Sequence, residues 1–413
     1  MKHIYLVDLV PSKFDNGVKT YVNALLSGLE SEKGITLSVI KINSFISHEY
    51  KKERKGAITV HNFPLPFVNK NIFENVKTEN LFYNRILDFL EDEIMELKEV
   101  IFHFNWINHS SFADLVKKRF GCKTVLTKHC IPWKTMIFSN YTEYLRLQEA
   151  LENETYNGSL PYELVAEKQG YGNYDKIITV TETGRKNLIQ LFKIPSISIE
   201  TIYNGISFEK PPQHLSRAKL KRRLGFRMTD IIILYVGRPE KLAGLLLFIN
   251  GIKQILISNR NVKVVIVGDS ISEQLLNASD NLWPSLVYTH HISSDKLAEF
   301  YQIADIGILP SLYEQCSYVA LEMILNNTPI VVSEIDGLAE IVENGYSGVS
   351  IPLRHTKDGI DIDPKFLNDK IEELIADKKL RYFLSKNAKK ELIKKHGLKL
   401  MTQRTIEIYN NLN

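Results

Sequence analysis

The chain has 413 residues, 44% of them hydrophobic and 24% charged, with a net charge of only +4. That length exceeds one ordinary core and suits two α/β domains, and the composition excludes a disordered or low-complexity chain. The small net charge argues against a nucleic-acid partner, and three cysteines outside any CxxC pair, Cys122, Cys130 and Cys316, argue against a disulfide framework.

Strand-like runs and longer helical patterns alternate along the chain. Strand candidates fall at 2–7, 36–41, 57–60, 100–104, 123–128, 176–180 and 198–202, and again at 231–236, 262–267, 286–288, 306–309 and 330–332. Most are unbroken apolar runs, the pattern of parallel strands buried on both faces. Their spacing by helices predicts βαβ units in doubly wound sheets. The first run lacks the longer apolar region and cleavage site of a signal peptide, and no stretch reaches the ~20 apolar residues that span a bilayer. The expectation is a cytoplasmic protein.

Between the two series stand the turn signal Tyr203-Asn204-Gly205-Ile206, the pair Pro211-Pro212 and a basic helix-like run at 215–224, which set a domain junction near 204–214. Basic runs at 51–55, 217–223 and 389–395 read as solvated faces. Attraction to an anionic membrane surface, which would make the protein membrane-peripheral, is the alternative. In the last segment, Leu398, Met401, Ile408, Tyr409 and Leu412 make one apolar helical stripe that must dock somewhere, the first domain being one option.

The densest signal lies between 304 and 348. The run Asp305-Ile306-Gly307-Ile308-Leu309-Pro310-Ser311 reads as a buried strand ending in a Pro-Ser turn, and Glu314 and Glu322 follow, eight positions apart. A helix beginning near Ser317 leaves Glu314 in the loop and carries Glu322 about one and a half turns inside. Its first-turn N–H groups and positive dipole end suit a diphosphate at the carboxyl edge of the sheet. Glu322 stands among Val319, Ala320, Leu321, Met323, Ile324 and Leu325. A carboxylate there is costly unless donors satisfy it, as a ribose diol would. A partly exposed helix carboxylate, or one held by a neighbouring Arg, is the other reading.

These residues resemble the retaining, GT-B-fold glycosyltransferases of glycosyltransferase family four, whose pattern is Glu-x7-Glu after a strand ending in Pro-Ser. The likeness continues through Pro329-Ile330-Val331-Val332-Ser333, Gly337-Leu338-Ala339-Glu340-Ile341-Val342 and Asn344-Gly345-Tyr346-Ser347-Gly348. It also takes in Val236-Gly237-Arg238, Val265-Ile266-Val267-Gly268-Asp269 and Asn204-Gly205-Ile206. The resemblance implies an α/β fold of two facing Rossmann-like domains with parallel sheets, the acceptor side in 1–207 and the donor domain in 208–397. The helix in 398–413 would cross back to the first domain.

By the same resemblance Glu322 holds the donor ribose, Glu314 contacts the transferred sugar, and Gln315, Cys316, Ser317 and Tyr318 line the donor between them. Arg238 and Lys241 would neutralise the diphosphate. The family spaces that Arg and Lys wider and puts Gly directly after Lys, whereas here the run is Gly237-Arg238-Pro239-Glu240-Lys241-Leu242-Ala243-Gly244. An exposed loop lysine is therefore the other reading of Lys241.

The first half carries a thinner likeness. Gly17, after Asn16, stands where the family has a Gly-rich loop near donor phosphate or acceptor, although a plain helix cap explains the pair as well. His129 ends the strand 124–128, where the family places a His close to the donor sugar. An acid–base role and a hydrogen bond to a sugar hydroxyl are both open for it. His103 ends the preceding strand and would line the acceptor side, unless it is structural as a lone His more often is. Thr181-Glu182 reads as the cap of the next helix.

The expected activity is transfer from a nucleotide-diphosphate sugar to a glycan, lipid-linked or other acceptor, with retention and without metal or other cofactor. No Asp-x-Asp cluster follows any of these strand candidates in the manner of metal-dependent transferases, no Cys/His ligand spacing is present, and no Gly-x-Gly-x-x-Gly closes the first strand. The alternatives are a non-catalytic binding subunit of the same fold and another GT-B enzyme, such as a nucleotide-sugar epimerase or a sugar phosphorylase.

Overall fold

Unbroken runs of Val, Ile, Leu and aromatic residues cannot leave one strand face in water, so they pair into sheets covered on both sides. The computed structural model describes residues 1–8, 17–42, 49–64, 76–130, 146–147, 149–150, 153, 159–209, 215–237, 244–268, 273–279, 281–356 and 359–412, and it contains two such sheets.

The first has eight strands: β1 (Lys2–Asp8), β2 (Ile35–Ile42), β3 (Lys51–Lys55), β4 (Ile58–Phe63), β5 (Glu99–Phe104), β6 (Lys123–Lys128), β7 (Lys176–Thr179) and β8 (Ile199–Thr201). Their order is β3-β4-β2-β1-β5-β6-β7-β8, and every neighbouring pair is parallel except β3 with β4. The second has β9 (Ile231–Val236), β10 (Val262–Val267), β11 (Leu286–Tyr288), β12 (Ile306–Leu309), β13 (Ile330–Ser333) and β14 (Val349–Ile351), in the order β11-β10-β9-β12-β13-β14 and parallel throughout. A short antiparallel hairpin, Leu353–Thr356 with Gly359–Ile362, follows it.

The antiparallel strand β3 corrects the sequence reading of 51–55 as a simple solvated run. All five side chains of β3 are exposed; its backbone pairs with β4, and Lys52 reaches Glu93 across the surface. A strand with water on both faces carries no apolar period, so nothing in its pattern announces it.

The described residues fall into two compact units. One is drawn from Met1–Ile131, Ala150–Gly205 and Leu398–Asn413, the other from Pro132–Glu149 and Ile206–Gly397. In the first, the terminal helix Leu398–Asn410 lies against the helix Gly17–Glu30 so closely that a Cβ on Gly28 would stand 2.0 Å from Thr402 Oγ1. Only a glycine permits that approach. In the second, Phe248, Ile249, Val264, Ile306, Ile308 and Val331 belong to one fully buried core.

The parallel strands of each sheet reverse their order once, at β1/β5 in the first and β9/β12 in the second. In open α/β sheets the crevice at the carboxyl ends of such a strand pair is where ligands bind. Among the described residues no helix is long and apolar enough to cross a membrane.

Candidate functional site

In the second unit the expected donor residues follow the two switch-point strands. After β9, the Gly237 N–H donates to Val267 O at 2.9 Å, and then come Arg238 and Lys241, which lie outside the described residues, as does Asn16. The described chain resumes at Gly244 with φ +66°, where a Cβ would sit 1.8 Å from Pro310 O. The left-handed backbone and the close approach both require glycine, and they hold the end of the β9 loop against the end of β12.

Beyond β12, Ser317 caps the helix Tyr318–Leu325 by accepting the Ala320 N–H at 3.3 Å, so the helix starts where the sequence reading set it. Glu314 is half-buried in the loop, and its backbone oxygen accepts the Gly337 N–H at 3.1 Å, which ties the loop to the helix Asp336–Ile341. Gln315, Ser317 and Tyr318 are buried, whereas Cys316 is only half-buried.

Glu322 is half-buried, and its Oε2 accepts the Tyr301 hydroxyl at 2.6 Å. Burial raises its carboxyl pKa above the ordinary value, and the Tyr301 hydrogen bond acts in the opposite direction. Its Oε1 makes no hydrogen bond among the described residues. The tyrosine is a partner that the sequence does not disclose. Tyr301 sits on the helix Ser294–Ile303, before β12, and meets Glu322 only because the two helices pack on the neighbouring strands β9 and β12. No local spacing signals such a pair.

In the first unit His129 follows β6. Its Nε2 lies 3.2 Å from Asn105 Oδ1, and the Asn105 amide donates through Nδ2 to Val7 O at 3.4 Å. That second bond turns the amide oxygen toward the ring, so the imidazole proton belongs on Nε2 and Nδ1 is left as an acceptor. Burial, with His103 adding to it, holds the His129 pKa down at about 3. The ring is therefore neutral at physiological pH, able to accept a hydrogen bond and unsuited to act as a charged acid. Sequence reasoning misses Asn105, because a strand-end Asn has no signature of its own.

His103 does not line an open surface, contrary to the acceptor-side expectation. It is fully buried, with Nδ1 2.5 Å from Tyr409 Oη and Nε2 2.7 Å from Thr127 Oγ1. Thr127 continues to Tyr21 Oη at 3.1 Å, and the Tyr21 ring meets the His129 ring edge-on at 4.4 Å between centroids. The histidine is structural: both nitrogens are spent on joining the terminal helix to the sheet. Gly17 opens its helix, and a Cβ there would meet nothing within 4 Å, so the protein itself makes no steric demand for glycine at that position. Thr181 accepts the Gly184 N–H at 3.0 Å as a cap, as its sequence implies.

Comparison with known proteins places two family descriptions on the chain: "Glycosyltransferase Family 4" over residues 15–210 and "Glycosyl transferases group 1" over residues 216–391. An uncharacterized glycosyltransferase of Methanocaldococcus jannaschii is 26% identical over 240 residues, which cover 57% of this chain and 59% of that protein. The lipopolysaccharide 1,2-N-acetylglucosaminetransferase of Salmonella typhimurium is 26% identical over 233 residues, 53% of this chain and 58% of that protein. The matched stretch thus spans less than two thirds of either relative's length. Among solved structures, sucrose-phosphate synthase of Thermosynechococcus elongatus has a TM-score of 0.75 at 18% identity, covering 100% of this chain and 99% of that one. The Anabaena protein HepE, solved with UDP and glucose, has a TM-score of 0.71 at 13% identity, covering 99% of this chain and 100% of that one.

Proposed function

The chain belongs to glycosyltransferase family 4, in its GT-B form with two Rossmann-like domains, and on that premise we propose that it moves a sugar from a nucleotide-diphosphate sugar to a sugar-containing or other acceptor. The observation that carries this reading is Glu322, with one oxygen anchored by Tyr301 and the other open, on an apolar helix that follows a switch-point strand. A half-buried carboxylate with an open oxygen takes a hydroxyl donor, and a ribose diol provides two.

Departure of a nucleoside diphosphate builds negative charge on its oxygens. Arg238, Lys241 and the first-turn N–H groups of the helix Tyr318–Leu325 would neutralise it in place, without a metal. Glu314 orients the transferred sugar. Retention is supported by the likeness to a retaining family. It follows if the departing phosphate oxygen takes the acceptor's proton while the new glycosidic bond forms on the face that the phosphate leaves. His129, neutral and with no hydrogen bond at Nδ1 among the described residues, accepts a hydrogen bond from a sugar hydroxyl rather than shuttling a proton.

HepE was solved with UDP and glucose, so UDP-sugars are the first donors to test, beside GDP- and ADP-sugars. A binding nucleotide sugar raises the apparent melting temperature by mass action. Replacing Glu322 with Ala removes a charge-assisted grip worth about 1.5–3 kcal/mol, an expected 10- to 100-fold loss of nucleotide affinity. A protein that no nucleotide sugar stabilises, or a Glu322→Ala variant that binds as tightly as the parent, would sink the reading. Release of free nucleoside diphosphate without acceptor separates a transferase from a binding subunit, which should release none.

A further inference from the structure

The basic runs at 217–223 and 389–395, far apart in sequence, converge in the second unit. Both line a groove of ≈ 1280 Å³ between the helix Lys378–Lys395 and the amino ends of β9, β12 and β13, where Ile231, Asp305 and Pro329 form its wall. We propose that this groove is an anion site for a phosphate-bearing group, distinct from the donor site at the carboxyl ends of the same strands. Six residues of β9, at ~3.3 Å each, separate the two ends by roughly 20 Å.

The charges in the groove fall into three sets. Arg217 and Lys221 are answered at home: both reach Asp305, at 2.8 and 3.4 Å, and Lys221 also donates to Asp230 O at 2.6 Å. Arg381 and Lys389 close the ends of neighbouring helices. Arg381 donates to Leu374 O at 2.5 Å and Ile375 O at 3.0 Å, and Lys389 to Leu325 O at 3.3 Å and Asn327 Oδ1 at 3.1 Å. Those bonds satisfy donors without cancelling charge, because every acceptor is neutral. Lys378, Lys386 and Lys390 form no hydrogen bond or ion pair among the described residues, and all three are exposed.

Packing does not explain the third set. Leu384, Ala388 and Leu392 make the buried face of that helix. Lys378, Tyr382, Lys386 and Lys390 follow one another at four-residue steps, a single stripe lining the groove, with Tyr382 68% exposed in its midst. Like charges four residues apart repel, and a concave wall concentrates their potential. Asn387 adds a buried Nδ2 donor with no acceptor. Five uncancelled cations, a phenol and an amide donor suit a multiply charged oxyanion, for which lysine acts as a point-charge ligand. A singly charged carboxylate would leave most of the field unanswered.

The test is calorimetric titration of the full chain with inorganic pyrophosphate, paired with sedimentation against phosphatidylcholine vesicles with and without phosphatidylglycerol. The parent is compared with the double variant Lys386→Glu/Lys390→Glu, whose exposed positions leave folding intact, as an unchanged melting temperature would verify. A pyrophosphate affinity that falls at least tenfold in the variant supports the site and identifies a free phosphate compound as its occupant. Phosphatidylglycerol-dependent sedimentation that the variant loses, without an effect on pyrophosphate, supports it with a lipid-borne phosphate. Binding in both assays that the variant leaves unchanged, or no binding by the parent in either, overturns the proposal. Nucleotide-sugar affinity should stay the same in the variant, so a failure here leaves the donor reading standing, and the reverse.

Discussion

A histidine held neutral by burial can only offer or accept hydrogen bonds, and the direction of its partners decides which. At His129 the Asn105 oxygen claims the Nε2 proton, so Nδ1 is the working atom. Asparagine at position 129 would put an amide oxygen near the place of Nδ1, whereas alanine would remove the acceptor. His129→Asn should therefore retain about tenfold more turnover of nucleotide sugar than His129→Ala, the worth of one hydrogen bond of ~1.5 kcal/mol. Parent and His129→Asn should also share one pH–rate profile between pH 5 and 8. A limb near pH 6.5 in the parent that vanishes in the variant would instead make this ring a proton carrier.

Elements meet in this protein at contacts too close for ordinary side chains. A Cβ at Gly28 collides with Thr402, so Gly28→Ala must push the terminal helix away from the helix Gly17–Glu30. Overpacking of this kind costs about 1–3 kcal/mol. Urea unfolding should show the loss, and Thr402→Ala in the same chain should restore part of it, since that change removes the hydroxyl in the way. An undisturbed midpoint would mean that the two helices separate freely.

The same scale shows what pattern alone could reveal. The central strands were legible because their burial on both faces leaves unbroken apolar runs, as in Ile231–Val236 and Val262–Val267. Ser317 and Glu322 were legible because cap and carboxylate belong to one helix with fixed spacing. Tyr301 and Asn105 were not, since each reaches its partner across the fold. His103 misled for a related reason: a strand-end histidine looks alike whether its neighbour is a ligand or, as here, a tyrosine more than three hundred residues away.

At the scale of the molecule, titration is uneven. His3, His103, His109 and His129 all belong to the first unit, and burial lowers their pKa values to about 4, 3, 4 and 3. Each takes up a proton more readily when unfolded, near pH 6.5, than when folded. Stability is therefore full above pH 6.5 and is lost as pH falls toward the folded values, by at most about 1.4 kcal/mol per pH unit for each ring. Glu93 adds to this lower down. The His61 ring, 3.6 Å away, and hydrogen bonds from Lys52 and Tyr5 hold its carboxyl well below the ordinary range, so its contribution fades only below about pH 4.5. Hydrogen exchange read by mass spectrometry should show first-unit amides losing protection before second-unit amides between pH 6.5 and 5. Equal loss in both units would contradict it.

The strand that the apolar pattern missed has a bearing on how copies of this protein behave in a crowded solution. An open sheet ends in a row of unpaired N–H and C=O groups that can template another chain. On one side of the first sheet that row belongs to β3, where four of five side chains are cationic and all are exposed. Two copies approaching edge to edge there would bring eight like charges together before any backbone bond could form. The remaining outer strands of the two large sheets, β8, β11 and β14, are three residues each, too short to seed a ladder. A stretch with no part in either core thus guards the protein against aggregation.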